Sequence, residues 1–292
     1  MAWLPILACV LTCTTVFGAP PIFRGDSISR VELSEFATKL WGFDDNRNGT
    51  GDLVVDVGNY SGNSNADQSP NPFFTYVDAD LLNTPTYQRF MKLLNNYDPY
   101  LERPETKTPE EEQEELEFLD EIMKTRVMTE TLSFLIAKRY VTSATDLENK
   151  LKDMWFELYS RSTSYEALDS CGFAHTFVGE IDKSDKEVSG FHNWLSLMQK
   201  EQNGQVNYFG WVAITDPQLM AMKFTFNGYL KKYTGLWIGT SPEFEMAMYT
   251  VCFMARIDQI CRFDLNGIET EIQTWTLATD SDNVGTAYPK VD

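Results

Sequence analysis

The segment from Cys171 to Trp194, CGFAHTFVGEIDKSDKEVSGFHNW, contains both histidines of the 292-residue chain, His175 and His192. Two imidazoles at one site can act as a general acid and a general base, because the pKa of histidine lies close to neutral pH. His192 directly precedes a predicted helix, NWLSLMQKEQ, and a helix N-terminus disfavours the imidazolium, which favours His192 as the base. His175 would keep its proton near a phosphate or carboxylate and act as the acid. A lone histidine is also commonly a hydrogen-bonded structural residue, so the residue types alone leave both interpretations open.

Several familiar active-site motifs are missing from the sequence: the Walker loop, the dinucleotide-binding glycine pattern, Gly-x-Ser-x-Gly, His-Glu-x-x-His and Cys-x-x-Cys. A zinc centre would need carboxylate ligands beside the two histidines, and none is suitably spaced. The formal net charge of -19 disfavours general nucleic-acid binding, because phosphate contacts require a cationic surface. Any site for a polyanion must therefore be local.

The N-terminal run, MAWLPILACVLTCTTVFGAPP, is apolar, has no charged side chain and is too short to span a bilayer. It predicts a signal peptide over residues 1–18, cleaved after Gly18, and hence a secreted, extracellular protein. The alternative is a retained membrane anchor, since the start of the run lacks Lys and Arg. In a secreted protein the sequons at Asn48 and Asn59 are candidate glycosylation sites.

The predicted mature chain, residues 19–292, retains three cysteines. Cys252 and Cys261 are a candidate disulfide in an oxidising compartment, although their spacing alone proves nothing. Cys171 would then be a free, buried thiol.

Residues 24–165 or so are predicted to be mainly helical. Helical spacing of apolar residues covers Ile28 to Trp41, and Thr108, Pro109 and Glu111 form a capping-box start for TPEEEQEELEFLDEIMKT. Further helices are predicted over Met128–Tyr140 and Ala144–Tyr159.

The loop DDNRNGTGDLVVD imitates a calcium loop, with Asp44, Asn46 and Asn48 at alternating positions before Gly49. Val55 stands where the bidentate glutamate belongs, which favours a turn rich in Asn and Asp over an EF-hand.

Residues 166–292 or so are predicted to be rich in strands. Aromatic and β-branched residues alternate in VNYFGWVAI, LMAMKFTFNGYL, TGLWIG, QICRFDLN and IETEIQTWTLA, and Asn266-Gly267 is typical of a hairpin turn. His175 is predicted to lie in an extended apolar segment. A helix interrupts the strands near His192, and a second begins with Ser241 as N-cap. This order predicts an antiparallel α+β architecture.

The order of five motifs identifies a family: GFAHTFVGE, SGFHNW, MKFTFNGYLKK, GTSPEFEMAMYTVCF and GTAYP. Together they closely resemble the EndoU family of uridylate-specific endoribonucleases, whose catalytic domain is related to the coronavirus endoribonuclease. LWGFDDNRNG and the TPEEEQEELEFLDEIMKT helix extend the resemblance over nearly the whole mature chain. By position the family's catalytic histidines fall on His175 and His192, and its lysine falls on Lys231, with Lys232 as the alternative.

The resemblance implies that a ribose 2′-hydroxyl attacks the adjacent phosphorus, giving a 2′,3′-cyclic phosphate and a 5′-hydroxyl. One imidazole would remove the proton, the other would protonate the leaving oxygen, and the lysine would stabilise the developing charge. The implied substrate is single-stranded RNA at uridines, and DNA should not be cut because it lacks the nucleophile. A monomer is expected.

For uridine selection the resemblance implies a hydroxyl residue before the SPEFE helix, at Thr240 or Ser241, and Tyr288 near the C-terminus. Ser241 could equally act only as an N-cap, and Tyr288 could stack on a base or anchor the chain end. A divalent cation, Mn²⁺ or Ca²⁺, is implied by resemblance only, and the sequence predicts no ligands for it.

One position departs from the family pattern. Members commonly carry Glu directly before the first histidine, whereas this chain has Ala174; the later acid, Glu180, is present. A second hypothesis follows, that of a secreted RNA-binding protein that keeps the fold but has weak or no turnover.

Overall fold

The computed structural model describes residues 25–161, 167–277 and 280–292, the side chains of residues 280–282 excepted. The predicted signal peptide, residues 1–18, lies outside these ranges. Among the described helices, none is both long and apolar enough to cross a membrane.

The N-terminal part of the chain is mainly helical, as predicted. Ser29 and Glu32 form a capping box that starts the first helix, and Thr108 and Glu111 form the predicted one at the fourth. Each capping box satisfies backbone N–H groups that a helix start leaves without partners. The helices are α1 Arg30–Phe43, α2 Ala79–Leu82, α3 Pro85–Leu93, α4 Pro109–Met123, α5 Arg126–Ala137 and α6 Ala144–Phe156.

The C-terminal part contains two sheets and two longer helices, which confirms the predicted α+β class. One sheet has the strand order β3-β4-β7-β6-β5 and the other β10-β9-β8. Pairing is antiparallel except between β4 and β7. The elements are β3 Glu180–Asp182, β4 Glu187–Ser189, α7 Trp194–Gln202, β5 Val206–Asp216, β6 Leu219–Phe226, β7 Tyr229–Trp237, α8 Pro242–Ala255, β8 Ile260–Leu265, β9 Ile268–Leu277 and β10 Asp280–Lys290.

Asn266 and Gly267 form the predicted hairpin turn between β8 and β9. Both residues have positive φ, 53° and 88°, as a two-residue hairpin loop requires. Cys252 at the end of α8 and Cys261 on β8 form a disulfide with a Cα separation of 5.6 Å. Cys171 is free and buried, as predicted.

Three features differ from the sequence-based expectations. The helical part also contains a small antiparallel sheet of β1 Leu53–Val55 and β2 Phe74–Val77. The C-terminal segment, poor in apolar residues, forms the edge strand β10, which pairs with β9. The segment containing His175 is not extended but forms a π-helical turn, Ala174–Val178. In all three, tertiary contacts override a weak local pattern.

The end of the chain joins the two sheets beside the predicted catalytic residues. Tyr233 on β7 donates its hydroxyl proton to the Val291 carbonyl at 2.5 Å and accepts a hydrogen bond from the Val291 N–H at 3.1 Å. Gly235 allows close approach, since a Cβ there would lie 1.9 Å from the Pro289 carbonyl oxygen. The C-terminal strand is therefore held against β7.

The loop after β4 also depends on a glycine. Gly190 has φ 62°, and a Cβ at this position would lie 1.8 Å from the carbonyl oxygen of His175. Close packing of this loop on the π-helical turn thus requires a residue with no side chain.

We predict that Gly190→Ala destabilises the protein by about 2–4 kcal/mol, because it combines left-handed backbone strain with a clash against a main-chain atom. Gly204→Ala is the matched control: its φ is 72°, but nothing lies within 4 Å of the added Cβ. We expect it to cost only about 1–2 kcal/mol. Urea unfolding of both variants measures the difference, and equal losses would contradict the proposed close packing.

Candidate catalytic site

His175 is held by the π-helical turn and by a carboxylate. Its N–H bonds to the Cys171 carbonyl at 3.0 Å, and the Gly179 N–H closes the turn on the Ala174 carbonyl at 2.9 Å. Its ring Nδ1 lies 2.6 Å from Oε2 of Glu180, at the start of β3. An ionised carboxylate can only accept, so Nδ1 carries the proton and Nε2 is the nitrogen left for proton transfer.

Glu180 is fixed in turn by Arg161 and Ser170. The Arg161 Nε lies 3.1 Å from the same Oε2 atom, and the Ser170 hydroxyl donates to Oε1. Arg161 also donates to the Gly285 carbonyl at 2.7 Å, which ties this group to β10. The orientation of the His175 ring is therefore set by a buried Arg161–Glu180–His175 chain.

The charges of Arg161, Glu180 and His175 determine which of these side chains is protonated. Burial opposes ionisation of Glu180, but Arg161, His175 and the Ser170 hydrogen bond together lower its pKa. Burial, with the positive charge of Arg161, lowers the pKa of His175 to about 4, although Glu180 opposes this. The expectation that a nearby carboxylate keeps His175 protonated is therefore wrong for the protein alone, because Arg161 already compensates that carboxylate.

His192 lies just before α7, whose N-cap is Asn193. The Thr234 hydroxyl donates to the Phe191 carbonyl at 2.7 Å, and its oxygen lies 2.7 Å from Nδ1 of His192. Because the single hydroxyl proton is used on Phe191, Nδ1 of His192 is the donor to Thr234 and Nε2 is again the free nitrogen.

The pKa of His192 lies well below its usual value, mainly because of burial, with Lys231 and His175 adding to the shift and a backbone hydrogen bond with Gly235 opposing it. His192 is thus neutral at pH 7, as expected for a base. Burial is the main cause of this lowered pKa, and not the helix terminus that the sequence suggested.

Backbone hydrogen bonds bring the two histidines together. The Phe191 N–H donates to the His175 carbonyl at 2.9 Å, and the His192 N–H donates to the Thr176 carbonyl at 2.7 Å. Phe191 itself has φ 67°, a strained conformation for a residue with a side chain. This strained, paired segment fixes the relative positions of the two rings.

Lys231 lies on β7 and is close enough for its charge to lower the pKa of both histidines. Burial lowers the pKa of Lys231 to about 8, opposed by Glu187 and Glu180. Its neighbour Lys232 is exposed and pairs with Glu187 at 2.6 Å. The structure therefore places Lys231, and not Lys232, in the electrostatic field of the two histidines.

Tyr288 on β10 joins the same group. Its ring stacks on the His192 ring, with centroids 4.6 Å apart and planes 17° apart. The preceding Ala287 N–H donates to the Thr176 hydroxyl oxygen at 3.3 Å. Strand β10 therefore places the partly exposed ring of Tyr288 beside His192.

Thr240 and Ser241 are fully buried, and their hydroxyls already have partners. Thr240 donates to Glu245 at 2.7 Å, and Ser241 caps α8 by accepting from the Phe244 N–H at 3.1 Å. Glu245 also accepts from Asn193 at 3.2 Å. Both hydroxyls thus support the junction between α8 and α7, and their contact with uridine stays a prediction.

The predicted turn rich in Asn and Asp contributes the buried Asp44, which lies within electrostatic reach of two buried acids of α8, Glu243 and Glu245. Burial raises the pKa of Asp44 to about 7 and that of Glu245 to about 8. Asp44 Oδ1 and Glu243 Oε2 are buried without hydrogen-bond partners among the described atoms. Burial therefore favours the protonated form of all three acids, whereas a metal ligand must be deprotonated.

Among the described residues there is no preassembled site for the divalent cation that the family resemblance implies. Within the described ranges, no three His, Cys, Asp or Glu side chains come together as a metal centre. No catalytic step is assigned to a metal ion.

Ala174 lies buried within the π-helical turn. The acid that orients His175 in this structure is Glu180, five residues later, so the absence of an acid at Ala174 leaves the ring orientation intact.

The sequence does not predict the roles of Arg161, which holds Glu180, and Thr234, which contacts His192. Arg161 lies in an irregular segment, and Thr234 lies in a strand whose alternation predicts only burial. Neither has a local signal, because each acquires its role from a residue distant in sequence.

We predict that Glu180→Gln lowers kcat by about 10²–10⁴-fold on a substrate that the protein turns over, because the amide cannot enforce the Nδ1–H tautomer of His175. Glu269→Gln is the control, since Glu269 is an exposed carboxylate paired with the exposed Arg30. Steady-state kinetics with circular dichroism separates lost turnover from lost folding. A folded Glu180→Gln protein with the parent kcat would contradict the orienting role.

Comparison with known proteins gives consistent matches. The family model described as Endoribonuclease XendoU matches residues 32–289. A uridylate-specific endoribonuclease of Bos taurus is 40% identical over 259 residues, which are 86% of this chain and 62% of the relative. One of Homo sapiens is 38% identical, with the same two shares. Uridylate-specific endoribonuclease D of Xenopus laevis is 36% identical over 90% of this chain and 88% of its own length.

The chain thus spans about three fifths of the length of the two mammalian relatives. Among solved structures, that of XendoU, described as a splicing-independent snoRNA processing endoribonuclease, superposes with a TM-score of 0.77 at 33% identity. The superposition covers 89% of this chain and 97% of the other.

Proposed function

Since the chain belongs to the XendoU endoribonuclease family, we propose that it cleaves single-stranded RNA at uridylates by attack of the ribose 2′-hydroxyl. The observation that carries the proposal is the pair of buried histidines, each with Nδ1 held as a donor, in the field of Lys231. A paired acid and base with a cation is the minimum set for this phosphoryl transfer.

In the proposed reaction Nε2 of His192 removes the proton of the 2′-hydroxyl. The 2′-oxygen then forms a bond to phosphorus while the bond from phosphorus to the 5′-oxygen breaks. The Nε2–H of protonated His175 gives its proton to the departing 5′-oxygen. The products are a 2′,3′-cyclic phosphate and a 5′-hydroxyl, and no water is consumed.

The surroundings of the two rings support this division of roles. At His175 burial, Arg161 and Lys231 lower the pKa and the Glu180 carboxylate partly offsets them, whereas at His192 burial, Lys231 and His175 lower it and the offset comes from a neutral backbone group of Gly235. Both pKa values are low in the protein alone, and the negative charge of a bound phosphate would raise them. We propose that substrate binding supplies the acid form of His175.

Lys231 is proposed to stabilise the charge that develops on the non-bridging phosphate oxygens. Tyr288 is proposed to stack on the uracil ring, because it is partly exposed and already parallel to His192. Thr240 or Ser241 is proposed to contribute to uridine selection, either directly or through the Glu245–Asn193 contact that positions α7.

Several further expectations remain proposals. The protein is proposed to be secreted after cleavage of residues 1–18, monomeric, glycosylated at Asn48 and Asn59, and inactive on DNA. The side-chain nitrogen of Asn59, which would carry the glycan, donates to the Gln68 carbonyl at 2.7 Å and would have to give up this hydrogen bond. A divalent cation, Mn²⁺ before Ca²⁺, is proposed as an activator on the family resemblance alone.

The alternative is an RNA-binding protein with weak or no turnover. The Ala174 position motivates it, whereas the intact Arg161–Glu180–His175 chain opposes it. Binding of RNA without cleavage would favour this alternative.

We predict that the protein cuts a uridine-containing oligoribonucleotide and leaves the corresponding oligodeoxynucleotide intact. His175→Ala, His192→Ala and Lys231→Ala should each abolish cleavage and leave circular dichroism unchanged. Mass analysis of the new ends, with Mn²⁺, with Ca²⁺ and with a chelator, checks the chemistry. Binding without cyclic phosphate ends under all three conditions would support the alternative function.

We predict that activity falls above pH 8, because Lys231 loses its proton and its stabilising charge as pH rises through a pKa of about 8. In the Lys231→Arg variant the guanidinium stays charged at these pH values. The fall in activity should therefore occur at higher pH, and the maximal rate should be lower. Lys232→Arg, on the exposed neighbour, should leave the profile unchanged. A pH profile of kcat/KM measures both, and a limb that moves with Lys232→Arg would assign the role to that residue instead.

A further inference from the structure

A second cationic site lies away from the catalytic candidates. A cleft of about 830 Å³ opens between α3 and the end of α7, and its lining includes three cations, Arg89, Lys92 and Lys200. Among the described residues that line the cleft, Glu114 is the one acid. The local charge is therefore opposite in sign to the formal net charge of -19.

Lys200 is the unusual member of this lining. Lys200 is only 5% exposed, and its Nζ donates to the Ser196 hydroxyl at 3.1 Å. The ammonium also lies 5.6 Å from the Phe191 ring centre and 5.5 Å from that of Phe226. Within the described part of the chain it forms no ion pair, whereas Arg89 pairs with Glu117 and Lys92 approaches Glu114 at 3.8 Å.

A buried ammonium without an anion is costly, and methionine of similar volume would pack against the same two phenylalanines. The cleft also presents several side-chain amides, which both donate and accept hydrogen bonds. These are Gln88, Asn95, Gln199, Asn203 and Gln205. A cation without an anionic partner, in a cleft also lined by amides, suits a ligand that combines an anion with polar groups.

The cleft is separate from the catalytic cluster. Of the described residues that line it, none is His175, His192, Lys231 or Tyr288. Val178 and Phe226 belong to its wall, and the Lys200 ammonium faces the ring of Phe191, which is fully buried and directly precedes His192 in the chain. Its volume lies within the usual range for a small-molecule site, about 300–1,000 Å³.

We propose that this cleft is a second phosphate-binding site, in which Lys200 binds the phosphate group and the amides bind the rest of a mononucleotide-sized ligand. The site lies behind the Phe191 segment that carries His192, so an occupant would contact the wall of the catalytic cluster and not the reacting atoms. The proposal does not depend on RNA cleavage, because it concerns binding alone.

The test is calorimetric titration in a Lys231→Met background, which weakens anion binding at the catalytic cluster. Inorganic phosphate, uridine 3′-monophosphate and an oligodeoxyuridylate are the probes. Adding Lys200→Met should weaken binding at least about tenfold, while adding Lys124→Met, a matched charge loss at an exposed lysine, should not. Equal affinities with and without Lys200→Met for all three probes would overturn the proposal.

The three probes also distinguish the source of the phosphate. Lys200-dependent binding of phosphate and the mononucleotide assigns a free small molecule, whereas dependence seen only with the oligodeoxyuridylate assigns a phosphate of a nucleic-acid strand. Gln199→Glu is a second variant, since it adds an anion beside Lys200 on the same lining. It should weaken the same binding, and an unchanged affinity in this variant would also count against the site.

Discussion

The catalytic geometry depends on one short backbone pairing. The segment Gly190–His192 donates two hydrogen bonds to the π-helical turn, from Phe191 to His175 and from His192 to Thr176. These bonds place two histidines, seventeen residues apart in sequence, on adjacent segments, the π-helical turn and the loop before α7. The pairing needs a glycine with positive φ and tolerates a strained Phe191. The surrounding core must therefore stabilise a conformation that the local sequence disfavours.

Two kinds of group then set the chemistry of the rings. A charged chain, Arg161–Glu180, holds His175, whereas a neutral hydroxyl, Thr234, holds His192. Both contacts fix the same ring tautomer but have different effects on the imidazolium. Burial lowers both pKa values, so the protein without substrate has two neutral rings and a lysine at the site. In the proposed reaction the negative charge of the substrate phosphate raises the pKa of His175. Substrate binding is thereby coupled to formation of the protonated His175 that acts as the acid.

The sequence predicted most of the regular fold and the identity of the candidate residues, for reasons that differ between elements. Thr108 and Ser241 start helices through local contacts, so their caps are readable from a few adjacent residues. Strand β10 cannot be predicted from its local sequence, because it forms through pairing with β9 and through contacts with β7, which is distant in sequence. The π-helical turn at His175 was wrongly predicted as extended for the same reason. The supporting residues Arg161 and Thr234 depend on such distant contacts as well.

Because the chain has only two histidines, their rings can be observed directly. Nitrogen-15 NMR of the side chains, recorded across pH on protein without a histidine tag, reports the tautomer and the pKa of each ring. We predict Nδ1–H tautomers at pH 7 for both rings and protonation only well below pH 6.5. If either ring titrated at its ordinary pKa or exchanged freely between tautomers, the proposed acid and base pair would be contradicted.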